Sequence, residues 1–249
     1  MALRCCCSRQ RTRRTYHSTQ ARSGGHFRRG ILRHATQERV VPSPEVDAAK
    51  TALLDAVSTL RRGRALKNDG QKKKELMKLA EKLRSATEAS ESSYTAGDVN
   101  GVWRLLFTTE AETLFILEKF PSSGELGPLE NDVFQVIDLT KGSLFNVIEF
   151  GRGRSRAFIV GADIALDESI VNATEKQGEA LQANITPSCR IRFKFRDARL
   201  KWSDSTSIPV PPFGQGWFDS IYIDDTIRVA LDSRGDLLIV ERSDVVWET

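Results

Sequence analysis

Residues 189–196 read CRIRFKFR, and the order of apolar and charged side chains in this stretch decides the fold. Ile191, Phe193 and Phe195 alternate with arginine or lysine, which is the period of a β-strand with one dry and one wet face. Further β-rich runs, separated by turn-forming residues, extend from Gly101 to the C-terminus; they read GVWRLLFTT, DVFQVIDLT, SLFNVIEFG, RAFIVGADIAL, SIYIDDTIRVALD and GDLLIVER. Successive short strands without intervening helices predict a mainly β protein with an antiparallel barrel or sandwich.

The row of inward phenylalanines has two interpretations. In a barrel of about eight strands, the inward residues either fill the interior or line a cavity for one small apolar molecule. The strand pattern is the same in both cases, so both interpretations stay open.

Two amphipathic helices are expected before the strands. Ser43 can cap the first helix with Pro44 in its first turn, and the turn KNDGQ separates it from the second helix. Apolar residues recur at helical spacing in both segments: Val46, Ala49, Leu53, Ala56, Val57 and Leu60, then Leu76, Leu79, Ala80, Leu83 and Ala86. We therefore assign residues 46–92 to a helical pair and residues 93–249 to the barrel, after a linker at 38–45.

Residues 203–218 are expected to form a long loop of the barrel. Its second part, IPVPPFGQGWF, contains prolines and glycines that disfavour a regular strand, and it ends in large apolar residues. Phe213, Trp217 and Phe218 then either plug one barrel end or belong to a lid or a membrane-dipping tip.

The first 37 residues differ from the rest of the chain in charge. They hold nine arginines and no acidic residue, so the chain's net charge of +4 hides a balance of −5 over the remainder. An arginine- and serine-rich, acid-free start without a long apolar core predicts an organellar transit peptide over residues 1–37; a basic arm that binds nucleic acid or membrane is the alternative. The mildly acidic remainder argues against a nucleic-acid-binding protein.

Few residues suited to catalysis remain after residue 37. All three histidines lie before it, and Cys189 is the one cysteine beyond it. Hydrolases of the Ser-His or Cys-His type, most zinc sites and structural disulfides are therefore not expected. The sequence predicts no cofactor and no metal, and no run is long and apolar enough to cross a bilayer as a helix.

The ordered set of motifs resembles the plastid lipid-associated proteins, also called fibrillins, of plastoglobules and thylakoids. Two helices lead into a strand similar to the family's Gly-x-Trp motif, carried by Gly101, Trp103, Leu105, Phe107, Thr108 and Thr109. The runs VFQVIDL and LFNVIEF, with Gln135 and Asn146, are similar to its next two strands. The C-terminal GWFDSIYIDDTIRVALDSRGDLLIVER matches most strongly, including Tyr222, Asp224, Asp225, Arg228 and Gly235.

The resemblance implies a lipocalin-like barrel and a non-catalytic plastid role at plastoglobules, thylakoids or in the stroma. Implied ligands are lipids, prenylquinones or carotenoids, bound singly or as lipid-body and membrane surfaces. An interaction scaffold that docks an isoprenoid- or quinone-pathway enzyme of the plastid is the alternative, and a carboxylate-based enzyme is a third interpretation. The arginine-rich start keeps mitochondrial import as an alternative location.

The resemblance also sets expectations for individual residues. Gly101 lets the chain turn closely under the barrel, and Trp103 closes its bottom. Trp103, Leu105 and Phe107 share one face of their strand, which with the row Ile191, Phe193 and Phe195 forms the expected interior.

Three C-terminal residues suggest a further polar motif. Asp224 and Asp225 are adjacent on a strand and so point to opposite faces, which speaks against an acid–base pair and for a structural role or a polar latch that orients a ligand headgroup. Arg228 is expected to cover the Trp103 ring, held in place by Asp225.

Overall fold

The computed structural model describes residues 29–31, 42–66, 69–90, 94–119, 128–150, 156–167, 184–185, 189–203, 205–212 and 214–247. The helices in this part of the chain are α1 Pro44–Ser58, α2 Gly70–Ala89 and α3 Ala111–Lys119, with 3₁₀ turns at Arg61–Leu66 and Ala96–Val99. The strands are β1 Arg29–Ile31, β2 Tyr94–Thr95, β3 Gly101–Thr108, β4 Pro128–Asp138, β5 Ser143–Phe150, β6 Arg156–Leu166, β7 Asn184–Ile185, β8 Cys189–Lys201, β9 Ser207–Val210, β10 Gln215–Ile223, β11 Ile227–Asp232, β12 Leu237–Arg242 and β13 Val245–Trp247.

Eight of these strands close into an antiparallel barrel. Their order is β10-β11-β12-β3-β4-β5-β6-β8, and β8 pairs back with β10. The ring closes because β8 is long: its residues 189–194 pair with β10, whereas its residues 198–201 pair with β9, outside the ring. The predicted mainly β barrel with an N-terminal helical pair is therefore confirmed.

The two N-terminal helices pack on the outside of the barrel. Ser43 caps α1, because its hydroxyl accepts a hydrogen bond from the Val46 amide at 3.3 Å, and Pro44 occupies the first turn. Leu53, Leu76 and Leu83 are fully buried between the helices and β10, β11 and β12. We call this the helix–barrel core, and it is separate from the barrel interior.

The barrel interior contains its own apolar cluster. The inward residues of every strand in the ring meet there; deeply buried examples, one from each of several strands, are Trp103, Ile137, Leu144, Ala162, Ile191, Ala230 and Val240, with Leu105 beside Trp103. A third cluster covers the outer face of β4, β5 and β6, with Phe134, Val147 and Ile159 buried in it.

Phe107 does not share the interior with Trp103 and Leu105, contrary to the sequence expectation. On β12, Val240 pairs with Leu105 and the neighbouring Ile239 pairs with Phe107, so Leu106 is an extra residue in β3. Such a bulge reverses the side-chain alternation beyond it. Phe107 consequently lies in the helix–barrel core.

The expected loop at 203–218 is also wrong over half of its length, because β9 and the first part of β10 occupy it. Pro209 is tolerated because β9 pairs with β8 alone and so lies at an edge, where a missing backbone donor breaks no ladder. Gly216 in β10 lies in a tight space, since a Cβ at this position would lie 2.7 Å from the Ser233 hydroxyl and 3.0 Å from the Phe193 ring.

A helix interrupts the strand succession, where none was expected. α3 directly follows β3, and Leu117 is buried against the barrel interior with Ile116 packed beside it. Its leucines and glutamates favour a helix, and the sequence TEAE at 109–112, a threonine followed three residues later by a glutamate, is the start signal that could have identified it.

β1 lies within the segment 1–37 and pairs with β13. The rest of the expected transit peptide lies outside the described residues.

Candidate functional site

One end of the barrel is closed around Trp103. Its indole nitrogen donates to the Val99 carbonyl at 2.8 Å, and the Arg242 guanidinium lies 4.1 Å from the ring centroid. Arg242 in turn donates to the carbonyls of Asp98 and Asn100 at 2.9 and 3.0 Å. The turn that precedes β3 is thereby tied to the last strand of the barrel.

Gly101 lies at this closure with a φ of +132°, a backbone conformation that favours glycine. A Cβ at this position would come within 2.9 Å of an Arg242 guanidinium nitrogen. The positive φ and the lack of room for a Cβ therefore both support the close turn expected at Gly101.

Arg228 is fully buried, and the alternation along β11 points it into the barrel interior together with Ala230. Its guanidinium carbon lies 5.4 Å from the Trp103 ring centroid and 5.3 Å from that of Phe218. The contact expected between Arg228 and Trp103 is present. Arg228 also donates to the side-chain oxygen of Gln135, which was not expected, and Asp225 is exposed in the turn before β11.

Gln135 and Asn146 extend this polar contact across the inner face of β4 and β5. The two residues are directly paired across the strands, and Gln135 Nε2 donates to Asn146 Oδ1 at 3.1 Å. Both side chains are only partly buried. Neither residue was expected in the site, although an amide at an inward position of an otherwise apolar strand is the signal that could have identified it.

The other end of the barrel interior is lined by apolar side chains that are not fully buried. Phe158, Phe193, Phe195, Leu200 and Leu238 all pack on the interior cluster but retain exposed surface. The Phe193 and Phe195 ring centroids lie 5.1 Å apart. These inward side chains therefore leave apolar surface in contact with solvent, and we call this end of the interior the open half.

β9 and the residue that follows β8, Trp202, lie beyond the closed ring and form the rim of this open half. Ile208 of β9 pairs with the inward Leu200 and is 51% exposed, and Trp202 is 43% exposed. The Arg156 guanidinium lies 4.6 Å from the Trp202 ring centroid. The rim therefore presents apolar surface beside a cation.

Phe218 and Trp217, expected in a lid together with Phe213, lie on opposite faces of β10. Phe218 is buried inside the barrel, 6.5 Å from Phe193 between ring centroids. Trp217 lies on the opposite face of β10, under the Arg190 guanidinium at 3.7 Å. Phe213 lies outside the described residues.

Asp224 holds the outside of the barrel to α1 and does not face the interior. One carboxylate oxygen accepts hydrogen bonds from Lys50 and the Tyr222 hydroxyl, and the other accepts from the backbone amides of Thr226 and Ile227. Burial on its own would raise the pKa of Asp224, but these hydrogen bonds outweigh it and lower the pKa to about 2. Burial and the contact with this carboxylate together raise the pKa of Tyr222.

Two kinds of feature were not found in the described part of the chain. None of its helices combines the length and apolarity needed to span a membrane. Its His, Cys, Asp and Glu residues form no group of three or more that could hold a metal ion.

Comparison with known proteins places this barrel in a family. Residues 47–241 match the PAP_fibrillin family model. The chain is 38% identical over 200 residues to the probable plastid-lipid-associated protein 11, chloroplastic, of Arabidopsis thaliana, which covers 80% of this chain and 81% of that protein. It is 25% identical over 213 residues to the plastid-lipid-associated protein 6, chloroplastic, of the same plant. This alignment covers 78% of this chain and 70% of that protein. No solved structure matches the chain significantly. The match across nearly the whole barrel and helical pair, together with the first of these relatives, shows that the chain belongs to the PAP_fibrillin family of plastid-lipid-associated proteins.

Proposed function

We propose that this protein is a non-catalytic plastid protein that binds an apolar small molecule in the open half of its barrel. The family and the two relatives that are named chloroplastic support the plastid and the lipid-associated role. The arginine-rich, acid-free residues 1–37 support import into the organelle.

The incomplete burial of the inward aromatic residues carries the proposal. Phe158, Phe193 and Phe195 face the interior but keep exposed surface, whereas the neighbouring inward Ile191 has none. Apolar surface that stays in contact with water inside a concave site gains free energy when an apolar ligand covers it, at about 25 cal/mol per Å². Lipids and isoprenoid compounds are of this chemical class.

The test compares two neighbouring residues of β8. Phe193→Ala removes a ring from the interior, whereas the matched control Arg192→Ala changes an exposed residue on the other face of the strand. We expect Phe193→Ala to lower the affinity for Nile red at least about fivefold, because a large part of the apolar contact is lost. Arg192→Ala should leave the affinity unchanged.

Chemical denaturation of the same variants separates an open interior from a filled one. We expect Phe193→Ala to cost less than about 3 kcal/mol of unfolding free energy, since a fully buried phenylalanine would cost about 3–5 kcal/mol. A larger loss with unchanged dye binding would overturn the proposal. It would favour the alternative that the barrel is a scaffold for a plastid enzyme.

The exposed rim supports a second proposal, that the protein also associates with lipid surfaces. Trp202 and Ile208 can insert between lipid headgroups while Arg156 contacts anionic ones. The proposed route of the ligand then runs from the lipid surface over the rim into the interior.

Flotation with vesicles of neutral galactolipid and anionic phosphatidylglycerol tests the rim. Trp202→Ser together with Ile208→Ser should reduce the floated fraction, while Trp217→Ser on the outer face of β10 should not. Equal flotation of both variants would exclude the rim as the docking surface.

A further inference from the structure

We propose that the barrel interior selects apolar molecules that carry a neutral carbonyl oxygen, and that the side-chain amide of Asn146 donates the hydrogen bond that recognises this oxygen. This inference rests on the proposed function, because it requires that the interior binds an apolar molecule.

The orientation of the amides follows from Arg228. A guanidinium has donors and no acceptor, so the Gln135 atom that contacts Arg228 must be the carbonyl oxygen Oε1. The amide nitrogen of Gln135 is then directed away from Arg228 and toward Asn146. The fully buried cation therefore sets the orientation of a side chain on another strand.

The contact with Gln135 sets the orientation of the Asn146 amide in the same way. Gln135 Nε2 can only donate, so the Asn146 atom that faces it at 3.1 Å is the acceptor Oδ1. Asn146 consequently presents its two N–H donors, on Nδ2, to the rest of the barrel. Within the part of the chain that the structure describes, no hydrogen-bond acceptor lies on Nδ2.

Asn146 also has the right location for a ligand contact. It lies on the inward face of β5 between Leu144 and Ile148, both buried in the interior cluster, and it pairs with Val160 of β6. Gln135, Asn146 and Val160 form one row across three strands, and all three are partly buried. The amide donors are thus accessible in surroundings that are otherwise apolar, where a hydrogen bond gains strength.

The donor type selects a neutral acceptor. At Asn146 an ionised carboxylate would lose its hydration and meet amide donors that carry no charge, since Gln135 lies between Asn146 and the Arg228 guanidinium. An ammonium group at the same place would meet N–H donors, which cannot accept its hydrogen bonds. An ester, ketone or quinone oxygen accepts from Asn146 without bringing a charge into the interior, whereas an alkane leaves the amide donors unused.

The experiment displaces Nile red from the full chain with four eleven-carbon ligands: 2-undecanone, undecane, undecanoate and undecylammonium. In the wild type we expect 2-undecanone to bind more tightly than undecanoate and undecylammonium. Asn146→Leu should weaken 2-undecanone about tenfold, because the buried carbonyl loses its donor, and should change undecane by less than about twofold. Asn146→Ala tests the same donor without adding bulk, and Val160→Ala is the matched control, expected to affect 2-undecanone and undecane equally.

The results test separately whether the carbonyl is recognised, whether the preferred ligand is neutral, and whether the interior binds a ligand at all. If Asn146→Leu and Asn146→Ala weaken the ketone and the alkane to the same extent, the interior is a lipid site without headgroup recognition, and this inference is wrong. Tighter binding of undecanoate than of 2-undecanone would overturn the neutral class of ligand. If Nile red and all four ligands fail to bind the folded wild type, the proposed function itself fails.

Discussion

Replacing Arg228 by lysine tests how the closed end of the barrel is held together. Lysine keeps the positive charge, but its ammonium is a point donor that cannot lie flat on a ring. The guanidinium is fully buried, 5.4 Å from the Trp103 centroid and 5.3 Å from the Phe218 centroid, and it donates to Gln135. The substitution therefore removes two cation–π contacts and the alignment of one charge-assisted hydrogen bond, with no water available to compensate.

The size of the effect follows from these contacts. A cation–π contact that is shielded from water contributes about 1–2 kcal/mol, and a hydrogen bond to a charged group about 1.5–3 kcal/mol. Lysine retains part of the cation–π energy and part of the hydrogen-bond energy, so we expect Arg228→Lys to lower the free energy of unfolding by about 2–4 kcal/mol. The exposed stack of Arg190 on Trp217 is the matched control, and Arg190→Lys should cost about 1 kcal/mol or less, since water screens that contact.

The assay is urea denaturation of a double-mutant cycle with Trp103→Leu and Arg228→Lys. Because Trp103 and Arg228 are in contact, the cycle should show a coupling energy of about 1–2 kcal/mol. Additive losses, or a cost for Arg228→Lys no larger than that of Arg190→Lys, would show that the buried guanidinium does not hold this end of the barrel.

Three further outcomes follow from the described contacts. Asp224 has a pKa of about 2 against an ordinary 3.8, so the charged carboxylate stabilises the fold above pH 4 and loses this contribution as the pH falls toward 2. Asp224→Asn should therefore lower the free energy of unfolding by about 2 kcal/mol at pH 7 and by progressively less in acid, as measured by urea titrations at each pH. Gly101→Ala should cost about 1–3 kcal/mol because φ is +132° and the new Cβ meets Arg242, and an unchanged thermal midpoint would contradict this. Leu53→Ala should cost about 2–5 kcal/mol in the helix–barrel core yet leave Nile red affinity unchanged in the folded protein, since that core is separate from the interior.

Much of the architecture could be predicted because local patterns set it. Ser43 and Pro44 start α1 as their capping chemistry requires, and the alternation of CRIRFKFR places Phe193 and Phe195 inward and Arg192 and Lys194 outward. These features depend on neighbours in the chain, which the sequence shows directly.

The features that were missed depend on contacts between distant strands. The bulge at Leu106, which moves Phe107 out of the barrel interior, is visible only in the pairing of β3 with β12. The strand at 215–218 forms because β8 supplies a partner, which outweighs the proline and glycine signals that predicted a loop. Likewise, Gln135 gains its role from Arg228, ninety-three residues away in the chain.

The proposed function requires space in the open half of the barrel interior, and a substitution that fills this space tests for it. Val160 faces the interior opposite Ala198 and is partly buried, so Val160→Trp places an indole in the open half. Native mass spectrometry with 2-undecanone should show one bound molecule per wild-type chain and none on a Val160→Trp chain of unchanged thermal stability. A Val160→Trp protein that is strongly destabilised, as overpacking of a filled core requires, or that still binds the ketone would show that the ligand does not occupy this space.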